Sequence, residues 1–156
     1  MAITYAVRMT PSTPSASPGR RPRNSLSLDA ILDAAEVLAA ASLDDVTMRA
    51  VAAALGASPM AIYRYVATKE ELVDGLLDRV LGRFDPPPPT DDWRHDLGAF
   101  ARAHRRLLVE HPWAVTVLFT HPVPGLGAVR IGEHALAVLG RGGVEDVDAV
   151  AAFSAV

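Results

Sequence analysis

The chain has 156 residues, half of them hydrophobic and none a cysteine, which leaves room for one large or two small domains and excludes a disulfide framework or a thiolate metal site. A net charge of −3 argues against a protein that grips nucleic acid over its whole surface. No apolar run approaches the ~18 residues that span a bilayer, and Met1 to Thr10 lacks the apolar core of a signal peptide, so the expectation is a helical protein of the cytoplasm.

Residues 1–24 are rich in Pro, Ser, Thr and Arg. They hold four arginines (Arg8, Arg20, Arg21, Arg23) and no acid. They bury too little apolar area to offset ordering entropy and read as a disordered basic arm. Residues 25–84 hold five bases against nine acids, yet inside them Val46 to Lys69 carries Arg49, Arg64 and Lys69 and no acid. A locally basic face on an acidic chain is the pattern expected where a small surface meets phosphate.

Four helices follow the arm, each with a start signal. Ser27 caps Leu28–Ala41, with Leu26 and Ile31 as a hydrophobic staple and Ile31, Ala35, Leu38 and Ala39 facing inward. Thr47 caps a second helix running to Leu55, and Gly56 stands where a left-handed residue ends it. Ser58 caps a third, Pro59–Val66, with proline at its first position. Thr68 opens the fourth, with Glu71 completing a capping box and Leu72, Leu76, Leu77, Val80 and Leu81 as its apolar stripe. Pro86–Pro89 ends that helix and marks a domain boundary. Beyond it, residues 90–156 read as a second helical domain. Its helices are Asp91–Glu110 (apolar members Trp93, Leu97, Phe100, Ala101, Leu107 and Leu108), Pro112–Phe119, Val129–Leu139 and Val144–Phe153. Pro122–Gly127 is expected to be a loop. No strand or repeat emerges, so the fold class is all-α.

The short Gly56-Ala57-Ser58 connection between two brief helices is a helix-turn-helix arrangement. Ile62 and Val66, four apart, point to the core. Met60, Ala61, Arg64 and Tyr65 are left facing outward, and Tyr63 with Tyr65 beside Arg64 suits contact with phosphate and thymine methyls. Ahead of such a unit, Arg20, Arg21 and Arg23 are either a solvated tail or an arm that touches the backbone or minor groove.

From Val46 to Leu72 the sequence resembles the signature of the TetR family of transcription regulators, matching at Thr47, Ala52, Leu55, Gly56, Tyr63, Tyr65, Lys69 and Leu72. The resemblance covers residues 28–81. It implies an N-terminal helix-turn-helix domain joined by a linking helix to a helical domain that binds a small-molecule effector and forms a homodimer. It also implies roles at double-stranded DNA. Thr47 would bond a phosphate, and Arg49 would reach a guanine edge or phosphate. Ser58 would be a further DNA-binding residue, Met60 and Ala61 in the first turn of the recognition helix would meet base edges, and Tyr63 and Tyr65 would contact phosphate. Arg64 would contact base or phosphate, and Lys69 would clamp a phosphate. No Gln or Asn stands among the base-facing positions, so readout leans on arginine, apolar contact and DNA shape.

Signals in the second half are thinner. Trp93, His104, Trp113 and Phe119 are the candidates for lining an effector pocket, although tryptophans at such positions are more often core. Five histidines fall in this half without metal-ligand spacing, so neither a metal nor a cofactor is expected, and no nucleophile elbow or phosphate loop points to an enzyme. Family members commonly run longer, which suggests a truncated second domain. The alternative reading is a degenerate relative that acts as an interaction protein without DNA binding.

Overall fold

The structure, a computed structural model, describes residues 26–120, 125–144 and 148. Among the described residues all regular structure is helical: α1 Leu28–Ala41, a 3-10 turn at Leu43–Asp45, α2 Met48–Ala54, α3 Pro59–Ile62, α4 Lys69–Leu81, α5 Trp93–Glu110, α6 Pro112–Thr120 and α7 Leu126–Arg141. The four expected caps are in place. The hydroxyl oxygens of Ser27, Thr47, Ser58 and Thr68 accept the backbone N–H groups of Ala30, Ala50, Ala61 and Glu71 at 3.1–3.3 Å, which satisfies donors that a helix start leaves unpaired. At α4 the box closes one residue earlier than expected, because the Glu71 carboxylate accepts from Ala67 N–H at 2.5 Å.

Helix α4 is shared by both halves. Its apolar face, Leu72, Val73, Leu76, Leu77, Val80 and Leu81, is buried, and it packs on α1, α6 and α7. Ile31, Val51, Ile62 and Val117 belong to the same continuous core. On the α1 side Arg79 pairs with Asp33 and, at 3.5 Å, with Asp29, while Arg83 grips Glu36 through two bonds of 2.5 and 2.7 Å. Paired forks of this kind fix orientation more than they add stability at an exposed site. The Arg83 bond holds the Glu36 carboxyl below its usual range.

The proline run leaves the chain without helix from Phe84 to Thr90. A network then ties it down. Buried Asp96 on α5 accepts from Thr90 N–H (2.9 Å), Thr90 O–H (2.7 Å) and the Arg141 guanidinium (2.7 Å), and Arg141 also donates to the Thr90 carbonyl. One carboxylate thereby joins the linker, α5 and the C-terminal end of α7.

Several bounds differ from the sequence expectation. Helix α3 ends at Ile62 rather than Val66, because the backbone tightens and Tyr65 N–H turns back to Ile62 O at 2.9 Å. Helix α5 starts at Trp93, since Asp92 is its cap. Leu126 and Gly127, expected in a loop, open α7. Ala101 faces solvent. The arm at residues 1–24 and, apart from Val144 and Asp148, the helix expected over Val144–Phe153 lie outside the described residues.

Candidate nucleic-acid interface

The turn between α2 and α3 is built by two crossed backbone bonds. Ala57 N–H reaches back to Ala52 O (2.9 Å) and Gly56 N–H to Ala53 O (3.1 Å), the pairing that closes a helix on a left-handed residue. Gly56 is that residue, with φ +63°. The chain therefore reverses sharply, and Ser58 restarts a helix at once. Buried Ala52 permits close approach of α2, while Ile62 at the end of α3 and Val66 just beyond it are anchored in the core.

What this leaves outward is a set of side chains from α2, the turn and α3. Thr47, Arg49, Ser58, Met60, Tyr63, Arg64 and Tyr65 are exposed, with Met60 at 72% and Tyr63 at 47%, and Ala61 and Lys69 are half-buried. The hydroxyls of Thr47 and Ser58 accept their capping bonds and keep their O–H donors. Among the described residues no ion pair joins Arg49 to Asp45. Three cations, Arg49 on α2, Arg64 just past α3 and Lys69 at the start of α4, thus flank the turn together with several donors, with no acid in the Val46–Lys69 segment. An exposed, flexible methionine beside two tyrosines is unusual on a free surface, and is suited to apolar contact with base edges.

Tyr65 has a partner within the chain. Its phenol O–H donates to the backbone carbonyl of Leu26 at 2.5 Å. Tyrosine carries a single O–H, so while this bond stands it has no proton to donate to phosphate. Leu26 lies 39 positions away in sequence, and no local spacing announces the contact.

In the second half the four pocket candidates scatter. Trp113 is buried in the core, Phe119 is 88% exposed, and Trp93 lies under the Arg94 guanidinium, 4.5 Å from its ring centroid. His104 sits 5.9 Å from the ring centroids of both Phe84 and Phe100, and burial pushes its pKa down. None of the four lines a cavity of about 350 Å³ found among the described residues. That cavity opens instead between the end of α4 and the first half of α7, bounded by Leu81, Gly82, Phe84, Pro86, Gly127, Arg130, Ile131, Glu133 and His134. Of the Pro122–Gly127 stretch expected to be a loop, Gly127 lines it. No group of three or more metal-ligating side chains gathers among the described residues, and none of their helices is long and apolar enough to cross a membrane.

Residues 31–76 match the family model described as bacterial regulatory proteins, tetR family, and residues 85–156 match the tetracyclin repressor-like C-terminal domain. The HTH-type transcriptional repressor DrrR1 of Streptomyces coeruleorubidus is 38% identical over 139 residues, covering 87% of this chain and 52% of the relative. An HTH-type transcriptional regulator of Saccharopolyspora erythraea is 35% identical over 133 residues, covering 84% and 56%. The chain spans about half the length of these curated relatives. Among solved structures, ActR of Streptomyces coelicolor in complex with actinorhodin superposes with TM-score 0.75 at 26% identity, over 81% of this chain and 61% of that one. BioQ with its double-stranded DNA operator gives 0.67 at 29%, over 81% and 77%.

Proposed function

The chain belongs to the TetR family of bacterial regulatory proteins, and from that premise we propose that it is a sequence-specific DNA-binding transcription regulator: a repressor released from a palindromic operator when a small molecule occupies its second domain. The observation that carries this is the α2–turn–α3 edge, where Ile62 and Val66 are locked in the core while Met60, Tyr63 and Arg64 are pushed outward. A major groove about 12 Å wide admits such an edge. Thr47, Ser58, Tyr63 and Lys69 serve as phosphate contacts that set register. Arg49, Met60, Ala61 and Arg64 meet base edges, with arginine suited to guanine. Two copies on half-sites about 34–36 Å apart supply twofold recognition.

The cavity at the α4–α7 joint is the place for the effector. Its volume of about 350 Å³ falls at the lower end of the range that small-molecule sites occupy. ActR, similar in fold, was solved with actinorhodin bound. An occupant there bears on Leu81 and Gly82 at the end of α4, and switching requires that it bind the DNA-incompetent arrangement more tightly.

A titration of the intact chain against the DNA upstream of its own coding region, at two salt concentrations, tests the reading. A salt-sensitive complex that outcompetes unrelated duplex supports it. Equal binding to both duplexes, or none, contradicts it.

A further inference from the structure

One side of α7 brings three polar side chains to the α4–α7 cavity. Arg130, Glu133 and His134 stand three and four positions apart, the spacing that places residues together on a helix surface, and all three line the cavity. The His134 ring stacks on Phe100 with centroids 5.7 Å apart. Beyond that stack, among the described residues no ion pair or hydrogen bond engages these three side chains. The rest of the lining is of another kind. Leu81 and Ile131 are buried, and the Phe84 ring is held in T-shaped contact with Phe100 at 5.4 Å and His104 at 5.9 Å. The cavity therefore offers an apolar, partly aromatic wall and, along α7, a polar edge with a cation and an anion one helical turn apart. An apolar body with a few placed polar groups is the usual make-up of a small-molecule site.

Resting on the reading that the effector occupies this cavity, we propose the effector's chemical class: a small planar aromatic monoacid with a hydroxyl beside its carboxylate. The ring body lies against Phe84, Leu81 and Ile131, where an aromatic pair gains more than its buried area alone. The Arg130 guanidinium donates to the carboxylate, with the planar fork that suits such a group. Glu133, one turn on, accepts from the hydroxyl and opposes a second negative charge. His134, held by Phe100, adds a ring nitrogen to the same polar edge.

The test is titration calorimetry of the full chain with three probes: a naphthoate carrying a hydroxyl next to its carboxylate, plain naphthoate, and naphthol. The methyl resonances of Leu81 and Ile131 report where each probe binds. The hydroxynaphthoate should bind tightest and naphthol more weakly by roughly three- to tenfold, the effect of one charge-assisted pair at a solvent-facing site. Arg130 and Glu133 are exposed, so substituting them leaves the packing intact. Arg130→Gln should abolish the preference for acid over naphthol while naphthol affinity stays as it was. Glu133→Gln should close the gap between the two acids. Methyls that shift with all three probes at equal affinity overturn the proposal and leave the cavity reading standing. So does an acid preference that survives Arg130→Gln, or a gap untouched by Glu133→Gln. Methyls that move with none of the probes remove the cavity reading, and this inference with it.

Discussion

The backbone N–H of Gly127 donates to the Asp78 carboxylate at 2.6 Å. Helix α7 has no side-chain cap of its own, so its N-terminus is capped by a residue of α4. The approach is close enough to require glycine. A Cβ at Gly127 would stand 2.8 Å from both Asp78 O and Gly82 N. Asp78→Ala should lower stability by about 1 kcal/mol, the usual penalty for a lost cap. Gly127→Ala should cost more, on the order of 1–3 kcal/mol, since backbone must shift to admit the methyl. Urea denaturation of the two variants checks the order, and a smaller loss for Gly127→Ala would mean that the joint yields.

Acid stability should depend on Asp96. Hydrogen bonds from Thr90, joined by the Arg141 guanidinium, bring its pKa from 3.8 down to about 2 against the opposing effect of burial. A carboxylate depressed in the folded state contributes stability that is present above its unfolded pKa and is lost as pH falls through the folded one. The window is therefore about pH 4 to 2. Thermal midpoints across that window should fall steeply in the parent chain and less so in Asp96→Asn, whose neutral amide has no such proton to take up. Parallel curves for the two would contradict the assignment.

At Gly56 the obstacle to substitution is conformational rather than steric. Its φ is +63°, and a Cβ there meets nothing within 4 Å. Gly56→Ala should cost roughly 1–2 kcal/mol, the penalty of a left-handed residue, and Gly56→Asn less, since Asn tolerates that region. Equal losses in chemical denaturation would point to a clash instead.

Legibility in the sequence followed how local each feature is. The caps at Ser27, Thr47, Ser58 and Thr68, and Leu28–Ala41 to the residue, were readable because a cap needs only three or four positions of sequence. The left-handed Gly56 was readable for the same reason. The 3-10 turn at Leu43–Asp45 was missed, although Ser42 with Asp44 N–H at 3.2 Å is a local signal. The start of α7 was out of reach, because its cap comes from Asp78, 49 positions away. The bond from Tyr65 to Leu26 was out of reach for a similar reason, its partner lying 39 positions away. The cavity walled by the end of α4 and the start of α7 had no local signal, because the meeting of those helices is a property of packing.

We propose that the α2–turn–α3 edge with Met60, Tyr63 and Arg64 reads DNA sequence. Selection of bound duplexes from a random pool by the intact chain tests it most directly, with Arg64→Ala run alongside. An inverted repeat whose half-sites sit about one helical turn apart should be enriched, with relaxed preference at one position per half-site in the variant. A pool that gains no motif, or an identical motif from Arg64→Ala, would contradict it.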